Sequence, residues 1–127
     1  MMNLMGRFPV TEIITDQDVE DALAFLAKTD SECARSKALM KRLDYQRNTI
    51  KSLAMLDAED DAIKSGERLS VARKEALAFT SKRYQEFLEE YQDAVADYET
   101  LNNLRNTKIG LIEVWRSESA NRRRGTI

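Results

Sequence analysis

A chain of 127 residues, 43% hydrophobic, is one domain by length, and its 33% of charged residues with few aromatics favours an elongated helical form over a globule. It holds no histidine, which removes the commonest general base and the commonest zinc ligand together, and its one cysteine, Cys33, excludes an intramolecular disulfide and fits a reducing compartment. The net charge of −2 averages over an uneven arrangement, because residues 81 to 100 carry six acidic and two basic side chains while residues 101 to 127 carry two acidic and six basic.

Residues 1–14 are mixed in character and contain the one proline, Pro9, so they read as an N-terminal arm. Phe8, Val10, Ile13 and Ile14 would dock that arm either on its own helices or on a second copy. Arg7 follows Met1, Met2, Leu4 and Met5 instead of preceding them, and no small-residue cleavage site is evident, so the arm does not read as a secretion signal. No apolar run approaches the roughly 18 residues of a membrane span. A cytoplasmic protein is the expectation.

Thr15 offers an N-cap, with Asp16 and Asp18 in the first turn where they suit the helix dipole, and a first helix is expected over 16–28, burying Val19, Ala22, Leu23, Phe25 and Leu26. Thr29 followed three residues later by Glu32 is a capping-box pattern, so a second helix is expected over 30–57. Leu39, Leu43, Ile50 and Leu53 carry its stripe, and Cys33 falls at an apolar position of it, where it is either a small buried residue or a reactive thiol. Gln46 interrupts the stripe, as Asn102 and Arg105 interrupt the stripe of the last helix. If buried, these three fix register and pairing; if the stripe rotates locally, they lie in solvent.

The acidic stretch 57–67, with Gly66, reads as the turn where the chain reverses, followed by a short helix over 67–79 that turns Leu69, Ala72, Ala76 and Phe79 inward. Ser81 can cap the last helix, expected over 81–122, in which Tyr84, Phe87, Leu88, Tyr91, Ala94, Val95, Tyr98, Leu101, Ile109 and Ile112 recur at steps of three and four. A continuous helix of that length spans roughly 60 Å and needs a partner along much of it. The fold predicted is all-α: an elongated antiparallel helical hairpin, or a three-to-four-helix bundle with one long C-terminal helix, as a single domain over 15–127. Charge agrees, since Arg35, Lys37, Lys41, Arg42, Arg47 and Lys51 make the second helix basic and the first half of the last helix is acidic. The same distribution along the last helix also suits its macrodipole.

No glycine-rich phosphate loop, paired cysteines or nucleophile with a histidine base can be written from these residues. Asp57, Glu59, Asp60 and Asp61 are acidic but lack the alternating ligands and terminal glutamate of a calcium loop, and read as a solvated turn. No enzymatic activity, metal, cofactor or small-molecule substrate is expected. Composition points outward at the C-terminal end. There Arg105, Lys108, Arg116, Arg122, Arg123 and Arg124 could contact phosphates while Trp115 stacks on a base. The other reading is a helix end neutralised by solvated cations, with Trp115 packed in the core.

The run Tyr98–Leu101 with Asn103 and Arg105, then Ile112–Arg116 and Ala120–Gly125, resembles the closing part of a group of small helical proteins encoded by tailed bacteriophages. The likeness extends more loosely to Lys37–Met40 and to residues 78–84, about two thirds of the chain in all. It carries no catalytic motif and identifies no site; it implies a phage origin, action in the bacterial host cytoplasm, and early-region genes near recombination or replication functions. The expectation is then a non-enzymatic phage accessory protein that self-associates and binds single-stranded DNA, or a phage or host protein of DNA metabolism, through its basic end. The alternatives are an interaction module that inhibits or adapts a host factor without touching nucleic acid, and a structural assembly subunit.

Overall fold

The computed structural model describes residues 13–125, and the notional arm over residues 1–14 falls almost wholly outside them. The described residues form three helices and no strand: α1 Asp16–Lys64, α2 Val71–Phe79 and α3 Lys82–Gly125. The protein is all-α, with α3 packed on α1.

Local chemistry sets most of the ends. Thr15 Oγ1 accepts from the Asp18 N–H at 3.0 Å while Asp18 Oδ2 accepts from the Thr15 N–H at 2.9 Å, a reciprocal cap that starts α1. Ser81 Oγ accepts from the Tyr84 N–H at 3.2 Å and donates to the Ala78 carbonyl at 2.6 Å, so one hydroxyl closes α2 and opens α3. α1 stops at Gly66, whose φ of +76° is the left-handed conformation that glycine adopts freely. There the Gly66 N–H reaches the Ile63 carbonyl at 3.0 Å and the Glu67 N–H reaches the Ala62 carbonyl at 2.8 Å, the paired bonds of a Schellman ending.

Four expected boundaries are corrected. α1 does not break at Thr29, because that side chain is only 6% exposed and its hydroxyl turns back to the Phe25 carbonyl at 2.7 Å instead of capping a new helix. The acidic stretch from Asp57 stays helical to Lys64: Ala54 and Ala62 are buried, and Lys74 and Arg83 reach back to Glu59 and Asp57 at 2.9 and 2.8 Å. α2 begins at Val71, four residues after Glu67, because Ser70 supplies the cap, its Oγ accepting from the Arg73 N–H at 3.1 Å. α3 runs through Gly110 without interruption and extends to Gly125, past the expected end at 122.

Contacts gather the described residues into two compact units, one being Cys33–Thr100 and the other built from those up to Glu32 and from Leu101 to Gly125. In the Cys33–Thr100 unit, Leu43 of α1 packs with Tyr84, Phe87 and Ala94 of α3, flanked by Ile50, Leu88 and Tyr91. Burying a side chain such as Leu43 stabilises by about 2 kcal/mol. Phe79, Tyr84, Phe87 and Tyr91 form a ladder with centroids 5.3, 6.0 and 6.1 Å apart, and Arg47 and Lys51 lie over the Tyr91 and Phe79 rings. The helices here are antiparallel, with Asp44 near Tyr91 and Asp57 near Arg83.

In the other unit the start of α1 and the end of α3 are also antiparallel, as Asp16 meets Trp115 and Asp30 meets Arg105. Val19, Ala22 and Thr29 are its buried residues on α1.

Candidate nucleic-acid interface

The residues expected to contact phosphate all lie on the last part of α3, within the unit that also contains the start of α1. The packing divides them. Arg105 is directed inward, its side chain 15% exposed. Its Nη1 donates to the Leu26 carbonyl at 2.7 Å and to Thr29 Oγ1 at 2.6 Å, and its Nη2 donates to Asp30 Oδ1 at 3.3 Å. A fork spent on three acceptors of α1 is not presented to a phosphate, so Arg105 leaves the proposed contact set.

Lys108 is half-buried and holds its Nζ 5.7 Å from the centroid of the Phe25 ring. Trp115 is also half-buried, and its indole Nε1 donates to Asp16 Oδ1 at 3.2 Å. The ring that was to stack on a base therefore packs at the start of α1. Of the residues expected to set register, Asn102 is half-buried on the same stretch of α3 as Arg105, whereas Gln46 is exposed and belongs to the Cys33–Thr100 unit. The cost of a buried polar seam therefore does not apply at Gln46.

Arg116, Arg122, Arg123 and Arg124 are the exposed cations of the expected set. Arg116 and Arg123, seven residues apart, share one side of α3, and the last three occupy its final turn. Arg122 Nη2 donates to Ser119 Oγ at 3.4 Å, a long contact that leaves most of its fork available. Cations here also compensate the negative end of the helix dipole. The arrangement can attract a polyanion but presents no element that could read base edges.

Sequence reasoning missed Glu118, half-buried between these arginines, whose Oε1 is buried with no hydrogen-bond partner among the described residues. Nothing in its sequence neighbourhood separates it from a solvated helix carboxylate. The Cys33–Thr100 unit also holds a groove of about 470 Å³ edged by Ala54, Asp57, Ala58, Leu69 and Leu77. Its hydroxyls are committed to backbone, Ser65 to the Asp61 carbonyl, Thr80 to Ala76 and Leu77, and Ser81 to Ala78. Among the described residues no group of His, Cys, Asp or Glu side chains could hold a metal ion, and no helix is long and apolar enough to cross a membrane.

No protein-family model matches the chain, and no curated protein or solved structure is detectably similar to it.

Proposed function

We propose that this chain is a non-enzymatic accessory protein of phage DNA recombination or replication, working in the bacterial host cytoplasm, and that it engages single-stranded DNA or a recombination protein through the basic end of α3. The observation that carries the reading is the exposure of Arg116, Arg122, Arg123 and Arg124 at that end, beyond a segment whose other cations and indole are turned to α1. The resemblance of Ile112–Arg116 and Ala120–Gly125 to the closing part of small phage helical proteins supports it. Recognition would be electrostatic and indifferent to sequence. Four neutralised phosphates of a single strand release counterions so that log K falls with log salt at a slope of about −3.

Fluorescence anisotropy of labelled single-stranded and duplex DNA tests this at low and physiological salt, beside a chain ending at Asn121. Salt-sensitive binding that the shortened chain loses supports the reading. A full-length chain that binds neither DNA at low salt refutes direct DNA contact.

A second reading, an interaction module that inhibits or adapts a host factor, is favoured by Leu104, Ile109 and Val114 of α3, which are 48%, 41% and 50% exposed. Partner capture by those side chains would persist at high salt and in the chain ending at Asn121.

A further inference from the structure

Within the Cys33–Thr100 unit, α1 carries Arg35, Leu39, Arg42 and Leu53 along one side, at spacings that return to the same azimuth every three or four residues. All four are exposed, the two leucines at 39% each. On α3, Glu90, Asp93 and Asp97 repeat at the same spacing and are exposed as well. Arg42 immediately precedes the inward Leu43, and Asp93 immediately precedes the inward Ala94. In an antiparallel helix pair, positions that precede an inward residue on both helices fall on the same side of the pair. The basic, leucine-bearing row and the acidic row therefore share one face.

Those charges are not paired with each other. The ion pairs of this unit among the described residues are Arg47–Asp44, Lys51–Glu75, Lys74–Glu59, Lys82–Glu86 and Arg83–Asp57, and none involves Arg35, Arg42, Glu90, Asp93 or Asp97. Such a face suits few occupants. A nucleic acid or an anionic membrane attracted by the arginines meets the acidic row beside them, and a peptide of one sign meets one row that repels it. A second copy of the same face, turned about a two-fold axis parallel to the helices, lays each acidic row on the other copy's basic row and covers Leu39 and Leu53.

We propose that this face is a self-association surface, on which α1 of one copy lies along α3 of another in a two-fold dimer. A two-fold interface must be self-complementary, and adjacent rows of opposite charge satisfy that requirement. The inference is independent of the DNA reading, since none of its residues lies in the basic end of α3.

Two charge-reversed full-length variants test it: Arg35→Glu with Arg42→Glu, and Glu90→Lys with Asp93→Lys. Sedimentation equilibrium of the wild-type chain at low salt should give twice the 14.6 kDa protomer mass, shifting toward the protomer as salt rises. Each variant alone should associate more than about tenfold more weakly, because both of its contacts now oppose like charges. Mixed in equal amounts the variants should dimerise again, since the acidic α1 of one meets the basic α3 of the other. A wild-type chain that remains a protomer overturns the proposal and leaves the face to a different protein, and so does an association that both reversals leave unchanged. Should a reversed variant fail to fold by circular dichroism, Leu39→Ser with Leu53→Ser replaces it, and wild-type-like association of that chain overturns the proposal.

Discussion

The Arg105 guanidinium on α3 donates to the Thr29 hydroxyl on α1 at 2.6 Å, and that hydroxyl donates onward to the Phe25 carbonyl at 2.7 Å. The buried threonine keeps its helix intact by bonding back one turn, and its oxygen lone pair accepts from a guanidinium that also reaches the Leu26 carbonyl and Asp30. Arg105→Ala and Thr29→Val should each destabilise the fold by about 1.5–3 kcal/mol. The double variant should lose less than the sum, with a coupling of about 1 kcal/mol or more from urea denaturation. Arg105→Lys should not rescue, because an ammonium cannot reach Leu26, Thr29 and Asp30 in one planar fork.

Trp115 anchors the end of α3 to the start of α1 through its indole N–H on Asp16 at 3.2 Å. Trp115→Phe should cost about 1 kcal/mol while leaving the affinity for single-stranded DNA and its salt slope unchanged. In the wild-type chain, tryptophan emission should stay constant across a DNA titration. Quenching that follows occupancy would place the indole at the ligand after all.

Gly66 ends α1 at φ +76°, and a Cβ built there meets no atom within 4 Å. The cost of Gly66→Ala is therefore conformational alone, about 1–2 kcal/mol, and Gly66→Asn should cost less because asparagine tolerates the left-handed region. Thermal melting of the two variants beside the wild type checks the order.

Ser70 holds the start of the nine-residue α2 through one bond to the Arg73 N–H at 3.1 Å. Ser70→Ala should cost about 1 kcal/mol, and hydrogen exchange should quicken first at the α2 amides, since the lost hydroxyl leaves a first-turn N–H without its acceptor.

Truncating the aromatic ladder at its most buried ring, Phe87→Ala, should destabilise by about 3–5 kcal/mol in denaturant melts. Phe87 is 5% exposed and touches both Tyr84 and Tyr91 in the ladder, so the cavity cannot be filled by a small shift of one neighbour.

What the sequence determined by itself rests on neighbours three or four residues apart. The apolar repeat from Tyr84 to Tyr98 marks α3, and Thr15 and Ser81 cap their helices, because periodicity and capping are local and leave their mark in local order. Thr29 shows where that stops: with Glu32 it spells a helix start, but Arg105, 76 residues away, and the Phe25 carbonyl hold the hydroxyl, and α1 continues. The acidic residues from Asp57 likewise read as a turn until Lys74 and Arg83 stand opposite them. At the basic end, composition revealed a cluster of cations but not its division. Which of Arg105, Lys108, Trp115 and the terminal arginines face α1 depends on where a second helix lies around α3, and only the tertiary structure decides that, because a helix offers all its sides equally until something packs against one.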